Sequence, residues 1–181
     1  FEMGNLWYNE PKTLNVAFDV IGDIVLSAAS QQYGGFTVPS VDLLLEPYAE
    51  RSYKMLTEKY TRLGLDADTV EKEVMADILN DFEQGFQGWE YKFNTVASSR
   101  GDYPFITMTM GTGTGRFAKL ASITMLNVRR KGQGKKGQKK PVLFPKIVFL
   151  YDENLHGPGK PLEDVFEAGI LCSSRAMYPD W

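Results

Sequence analysis

The chain has 181 residues, of which 43% are hydrophobic and 13% aromatic, and its formal net charge is -3 at pH 7. This composition is typical of a globular domain and excludes an intrinsically disordered chain. A single cysteine excludes a disulfide framework and indicates a reducing compartment, and one cysteine with one histidine excludes a four-ligand zinc site of the usual kind. No apolar run is long enough for a membrane span and no signal peptide is visible, so we expect a cytoplasmic protein without a membrane partner.

The first part of the chain is predicted to consist of three helices. Residues 13–32 show helical periodicity with a broad apolar face, and the glycines that follow are typical of a helix end. A second helix is predicted over 41–62, after a linker at 37–40, and a third over 67–90.

The second part of the chain is predicted to alternate strands with helices. Strands are predicted at 91–97, 103–110 and 142–151, and helices at 114–130 and 161–175. Strands separated by helices favour parallel pairing through βαβ crossovers, which places the chain in the α/β class. Three strands are too few for a stable isolated sheet of this class, and the chain does not begin with methionine. We therefore expect a segment of a longer polypeptide.

Two segments have patterns that are typical of anion binding. Residues 111–115 (GTGTG) follow a predicted strand and open a helix, where backbone N–H groups can hold an anion. They lack the spacing of a P-loop or a dinucleotide fold, so a plain turn is favoured. Residues 129–140 hold seven of the 20 basic residues. Phosphate or nucleic-acid binding is one alternative there, but a solvated connection is favoured because no aromatic residue is interleaved to stack on bases.

A polar stripe is predicted along the first helix. A spacing of four places residues on one helix face, and it holds for Asn15, Asp19, Asp23, Ser27 and Gln31. A water-facing stripe is one alternative, and a face that binds a ligand or a second subunit is the other. Stacked aspartates repel one another, and Arg51 and Lys54 on the next helix are the cations expected to balance them.

Two further features leave alternatives open. Residues 98–102 form a loop between predicted strands that is either a binding loop or an ordinary turn. Cys172 on the last predicted helix is either a buried apolar residue or a nucleophile. Burial is favoured because His156, the only histidine, lies in a distant loop.

Four groups of short runs together resemble one enzyme family. They are Gln32-Tyr33-Gly34-Gly35, Phe93-Asn94-Thr95 with Pro104-Phe105, Phe144-Pro145-Lys146, and Cys172-Ser173-Ser174-Arg175-Ala176-Met177-Tyr178-Pro179-Asp180. In this order and approximate spacing they resemble the anaerobic (class III) ribonucleoside-triphosphate reductases. The resemblance implies a glycyl-radical enzyme with a ten-stranded α/β barrel. It further implies reduction of ribonucleotides to deoxyribonucleotides, with formate as the reductant and zinc in the full-length protein.

The resemblance assigns neither a catalytic residue nor a metal ligand to this chain. The family's reactive cysteines, radical glycine and zinc-binding cysteine pairs match no position here, and Cys172 corresponds to neither reactive cysteine. The implied division is a helical effector-binding and dimerisation region over 1–90 and the early strands and helices of an incomplete barrel over 91–181. The isolated chain is therefore expected to lack reductase activity.

The resemblance also implies an allosteric site for a deoxynucleoside triphosphate or ATP effector. The predicted effector-binding residues are Asp23, Ser27, Arg51, Lys54, Ser98, Ser99 and Arg100. The implied partners are the nucleotide substrate, the effector, a second copy of the chain and a radical-SAM activating enzyme. Two alternatives stay open: a standalone module that dimerises through its first two helices, and a nucleic-acid binder through residues 129–140.

Overall fold

The computed structural model describes residues 9–97 and 101–181 and the backbone of two short antiparallel strands, β1 (Glu2–Met3) and β2 (Leu6–Trp7). The remaining strands of the described residues are β3 (Phe36–Val38), β4 (Ile106–Met110) and β5 (Lys146–Phe149). The helices are α1 (Leu14–Ser30), α2 (Val41–Arg62), α3 (Ala67–Thr95), α4 (Arg116–Lys131) and α5 (Glu163–Ala176). None of the helices in these ranges has the length and apolar character that crossing a membrane requires.

The strands β3, β4 and β5 form a parallel sheet whose spatial order follows the chain order. Beyond β5, a parallel bridge pairs Val148 with Asp180, and the Phe149 N–H donates to the Asp180 carbonyl at 2.7 Å. Each parallel neighbour is reached through helices, as in a singly wound α/β sheet, whereas a doubly wound sheet reverses its strand order. The α/β class and the parallel pairing are thus confirmed. The ten-stranded barrel stays a prediction, as does the division of the chain at residue 90.

One predicted strand and one predicted linker differ from the structure. The predicted strand at 91–97 is wrong, because α3 continues to Thr95. The reason is that buried side chains recur at helical spacing through this segment, at Ile78, Phe82, Phe86, Trp89 and Phe93. The predicted linker at 37–40 overlaps β3, a three-residue strand that is too short to show an alternating pattern and is defined by its pairing with β4.

The inner faces of α1 and α3 meet in an aromatic cluster. The Phe18 ring packs edge-on against Phe82, Phe86 and Trp89, with centroids 4.7 to 6.2 Å away. The Trp89 indole N–H donates to the Phe18 carbonyl at 2.7 Å, so the buried polar group is satisfied. Gly85 permits this approach, because a Cβ at that position would lie 2.3 Å from Cδ2 of Phe18. The helix α1 is therefore fixed on α3 by close packing.

Candidate functional site

A cavity of about 1170 Å³ lies at the amino-terminal edge of the parallel sheet. Ser27 and Ser30, near the end of α1, line one side. Ala97 and Asp102, which flank the loop after α3, line another. The glycine pair before β3 completes the wall, so elements far apart in sequence converge on one opening.

Aromatic side chains border this cavity and are exposed to solvent. They are Tyr33 (103% exposed), Tyr103 (53%) and Phe105 (65%), and the Phe105 ring packs edge-on against Phe144 at a centroid distance of 5.0 Å. Exposed aromatic faces beside hydroxyl groups are suited to stacking on a nucleobase. The sequence analysis did not place these aromatic residues in the site. Their signal was available in the Tyr-Gly-Gly and Tyr-Pro-Phe runs that precede two strands.

Two of the predicted site residues lie on α1, and only Ser27 lines the cavity. Asp23 forms an ion pair with Lys92 of α3, with Oδ1 and Nζ 2.6 Å apart. The expectation that Arg51 and Lys54 balance this aspartate is therefore wrong. The physical reason is that α1 packs its aromatic face on α3, which brings Lys92 to the polar stripe.

Arg51 of α2 binds the segment before α1. Its guanidinium forms an ion pair with Glu10 at 2.8 Å and donates to the Pro11 carbonyl at 3.3 Å. Lys54, one turn further along α2, is exposed to solvent. These two predicted cations thus lie on the surface of α2.

The predicted effector residues fall into two groups within one chain. The Leu14 N–H donates to the Ser52 hydroxyl at 2.8 Å, which fixes the start of α1 beside Arg51. Ser27 lies about 13 residues beyond Leu14 along the helix, or about 20 Å at a rise of about 1.5 Å per residue. Arg51 and Ser27 are consequently at opposite ends of α1. The predicted residues Ser98, Ser99 and Arg100 lie outside the described residues.

The glycine loop, residues 111–115, is occupied by carboxylates from α2. The Asp42 Oδ2 accepts hydrogen bonds from the N–H groups of Gly111 at 3.1 Å and Gly113 at 2.9 Å. The Glu46 Oε1 accepts one from the Ala118 N–H in the first turn of α4 at 3.3 Å. Because these donors already have internal acceptors, the structure favours the plain turn over an external anion site.

The basic segment at 129–140 offers less free charge than its composition predicts. Arg129 is buried in an ion pair with Glu90 at 2.7 Å, and Lys131 pairs with Glu83 at 3.0 Å. The lysines of the segment that remain exposed without an ion pair among the described residues are Lys135, Lys136, Lys139 and Lys140. The cationic surface is therefore confined to the short connection after α4.

Neither Cys172 nor His156 is arranged for nucleophilic catalysis. Burial raises the pKa of the Cys172 thiol to about 11, so that the group is protonated at neutral pH. His156 accepts at Nδ1 from the Asp152 N–H at 3.0 Å, and its Nε2 lies 2.7 Å from the Gly111 carbonyl oxygen. In the part of the chain that the structure describes, no three histidine, cysteine or acidic side chains are grouped to hold a metal ion.

The chain matches one protein family over its whole length. The family model described as anaerobic ribonucleoside-triphosphate reductase matches residues 1–181. Similar proteins include the anaerobic ribonucleoside-triphosphate reductases of Enterobacteria phage T4 (37% identical over 190 residues), Haemophilus influenzae (36% over 183) and Escherichia coli (32% over 183). Each alignment covers 99% of this chain.

The chain spans 29% of the length of the phage relative and 25% of each of the two bacterial relatives. It is therefore similar to one segment of these proteins, and the family resemblance carried by the short sequence runs is confirmed. The chain belongs to the anaerobic ribonucleoside-triphosphate reductase family.

Proposed function

We propose that this chain is the effector-binding and early-barrel segment of a reductase that converts ribonucleoside triphosphates to deoxyribonucleotides by radical chemistry. The observation that carries the proposal is the family match over residues 1–181. The nucleotide substrate, the glycyl radical, zinc, formate and the radical-SAM activating enzyme belong to the proposal for the complete cytoplasmic enzyme. The described residues contain no group of three histidine, cysteine or acidic side chains that fits a zinc site.

The proposed barrel is supported by the order of the sheet. The strands β3, β4 and β5 are parallel and adjacent in chain order, and the bridge to Asp180 continues that order at the β5 edge. Parallel strands that are neighbours in chain order and are joined by helices are the arrangement from which α/β barrels are built. The proposed architecture is therefore the ten-stranded α/β barrel, with α1 and α2 as the effector and dimer helices.

The cavity at the amino-terminal edge of the sheet is the proposed effector site. Its volume of about 1170 Å³ exceeds the upper end of the usual range for small-molecule pockets, about 1000 Å³. Tyr33 and Tyr103 supply aromatic faces for the base, and Ser27 supplies a hydroxyl group. Arg100, close in sequence to the cavity-lining Asp102, is the proposed cation for the triphosphate, with Ser98 and Ser99 in the same loop.

A homodimer is proposed through the outer face of α1 and α2. An apolar cavity of about 260 Å³ between these helices and β3 is lined by side chains that include Val20, Ile24 and Leu44. Val16 and Leu43, on the same two helices, are also exposed. Exposed apolar surface of this kind marks an interaction site, and a two-fold axis would pair each patch with its own copy. Such a pairing is the proposed route by which Arg51 and Lys54 of α2 reach an effector.

Nucleotide binding to the full-length enzyme tests the effector site. Replacing Tyr33 by alanine removes an exposed ring at the cavity, and base stacking contributes about 1–3 kcal/mol, so we expect deoxynucleoside triphosphate binding to weaken about tenfold. The control is Tyr91→Ala, which removes an exposed tyrosine on α3 that does not line the cavity. Isothermal titration gives the affinities. Equal affinity in Tyr33→Ala and wild type would reject this cavity as the effector site.

The mass of the full-length enzyme in solution tests the dimer. Ile24→Glu places a charge in the apolar cavity between α1 and α2, and we expect light scattering to report a monomer. Leu79→Glu, on the exposed surface of α3, serves as the control and should leave a dimer. A dimer that persists in Ile24→Glu would reject this surface. Dimer formation without nucleotide binding or reductase activity would favour the standalone module.

A further inference from the structure

The carboxylate of Asp42 joins the start of α2 to the loop that follows β4. Asp42 is 1% exposed, and its Oδ2 accepts from Gly111 and Gly113 and lies 3.4 Å from the Ser122 hydroxyl of α4. Its Oδ1 is buried without a hydrogen-bond partner among the described residues. One aspartate oxygen thus connects α2, the glycine loop and α4.

Glu46 forms a second connection one helical turn later. The N-cap residue of α4 is Gly115, which has no side chain to accept a hydrogen bond. Glu46 supplies the missing acceptor, because its Oε1 accepts from the Ala118 N–H at 3.3 Å. An acidic group at this position also opposes the positive end of the α4 dipole. The start of α4 is therefore capped from α2.

The glycine loop leaves room for both carboxylates. A Cβ at Gly115 would lie 1.8 Å from Oε1 of Glu46, and one at Gly113 would lie 2.5 Å from Cβ of Ala118 in α4 and 3.0 Å from Oδ2 of Asp42. These glycines thus permit close approach of side chains from α2 to the loop backbone. Gly113 and Gly115 are therefore explained by contacts within the chain and need no external ligand.

The same loop is held from its other side by the chain after β5. The Gly111 carbonyl oxygen lies 2.7 Å from Nε2 of His156, which is 2% exposed. Because a carbonyl oxygen can only accept, the Nε2–H of His156 donates to Gly111. Ligand sites of α/β folds lie at the carboxyl ends of parallel strands, which is where this loop follows β4. A displacement of α2 therefore acts directly on that edge of the sheet.

We propose that Asp42 and Glu46 form a clamp through which α2 sets the conformation of the glycine loop and thereby couples effector binding to the carboxyl edge of the sheet. This inference rests on the proposed function, because it takes α2 as a helix that contacts the effector and the second copy of the chain. The unpaired Oδ1 of Asp42 raises the free energy of the arrangement described. A donor that reached Oδ1 after a shift of α2 would stabilise a second arrangement of the loop, and effector binding would then select between the two arrangements.

Hydrogen exchange in the wild-type full-length enzyme gives the first test. The amides of Gly111, Gly113 and Ala118 donate to the clamp, so a change of state alters their exchange rates. We expect a saturating deoxynucleoside triphosphate to change exchange over 111–118, a segment that is separated from the cavity-lining Phe105 by the whole of β4. Unchanged exchange there, with nucleotide bound, would overturn the proposal.

Variants of the full-length enzyme give the second test. Glu46→Ala removes the cap contact, and Gly115→Ala displaces the Glu46 carboxylate without removing it. We expect the effector-dependent change in kcat/KM to fall at least about fivefold, while the effector Kd without substrate changes less than about twofold. The matched control is Glu50→Ala, an exposed residue one turn later on α2, which should retain the full response.

The outcomes separate this inference from the proposed function. Full regulation in both Glu46→Ala and Gly115→Ala, or a loss of effector binding as large as the loss of regulation, would overturn the clamp. A wild-type enzyme that binds no deoxynucleotide would overturn the proposed function, and the clamp with it. If the Asp42→Asn enzyme folds, its response to effector is measured in the same way. If it does not fold, the responses of Glu46→Ala and Gly115→Ala decide whether the clamp couples effector binding to activity.

Discussion

Cys172 lies on the buried side of α5 and behaves as a small apolar residue. Its burial is confirmed, as the apolar neighbours in the sequence predicted. Desolvation is the largest influence on its pKa and raises it to about 11, although Arg129 and Arg130 act in the opposite direction. A thiol in this state is a poor nucleophile at neutral pH.

We expect Cys172 to resist alkylation in the folded full-length protein. Iodoacetamide labelling at neutral pH, read out by mass spectrometry of the peptide that holds Cys172, should be at least about tenfold slower than in guanidinium chloride, because the thiolate is scarce and shielded. Cys172→Ala should leave reductase activity intact. Rapid native labelling, or an inactive but folded Cys172→Ala enzyme, would contradict this assignment.

Glu71 makes the stability of the helical region sensitive to acid. The hydrogen bond from Tyr53, followed by that from Arg116, holds the pKa of the Glu71 carboxyl below its ordinary value. Because the pKa of Glu71 is lower in the folded protein than in the unfolded chain, the ionised carboxylate stabilises the fold at pH values above the pKa in the unfolded chain, about 4.3. This stabilisation is lost as the pH falls through the pKa of Glu71 in the folded protein.

Glu71→Gln should therefore lower the thermal unfolding temperature at neutral pH and have a progressively smaller effect below about pH 4. The measurement is the melting temperature of the full-length protein against pH. Glu58→Gln, an exposed residue on α2, is the control and should show little effect at either pH. A Glu71→Gln effect that is independent of pH would contradict the linkage.

At the scale of elements, the close approach of α1 to α3 depends on one of two neighbouring glycines. A Cβ at Gly85 would overlap the ring of Phe18, whereas one at Gly88 would meet nothing within 4 Å. Gly85→Ala should destabilise the protein by about 1–3 kcal/mol through overpacking. Gly88→Ala should stabilise it by up to about 1 kcal/mol, because glycine weakens a helix interior. Chemical denaturation of both variants checks the difference, and equal effects would contradict it.

At the scale of the whole molecule, Arg129 joins segments from distant parts of the chain. Its Nε pairs with Glu90 of α3 at 2.7 Å, and its Nη2 donates to the Pro145 carbonyl before β5 at 2.7 Å. The guanidinium also lies 5.1 Å from the centroid of the Tyr178 ring, near the strand bridge at Asp180. Gln133 donates to the second oxygen of Glu90 at 2.7 Å. A buried ion pair thus connects α3, α4 and the start of β5 to the segment after α5.

Removing one partner of this ion pair should be more damaging than removing both. Arg129→Met leaves the buried Glu90 carboxylate without its cation and should cost about 3–5 kcal/mol of stability, part of which Glu90→Leu restores in the double variant. Lys131→Met, which breaks the exposed pair with Glu83, should cost less than about 1 kcal/mol. Equilibrium denaturation measures all three variants, and additive losses in the double variant would contradict the coupling.

Only some of the residues that were predicted from the sequence to form the candidate site lie together in the structure. The predicted Ser98, Ser99 and Arg100 lie outside the described residues, whereas Ser27 and the loop ends at Ala97 and Asp102 meet at one cavity. Arg51 does not join them, because the Leu14–Ser52 contact holds it at the other end of α1. A four-residue spacing places residues on a helix face but does not determine which neighbouring helix covers that face.

The sequence by itself determined the α/β class, the parallel pairing of strands and the family, because periodicity and short motifs act over a few residues. Only the tertiary structure decided the existence of β3 and the partners of the glycine loop. Asp42 meets Gly113 across 71 positions, and Asp23 meets Lys92 across 69. Contacts at such separations depend on how whole helices pack, and packing depends on the combined shape of many side chains, which no local pattern encodes.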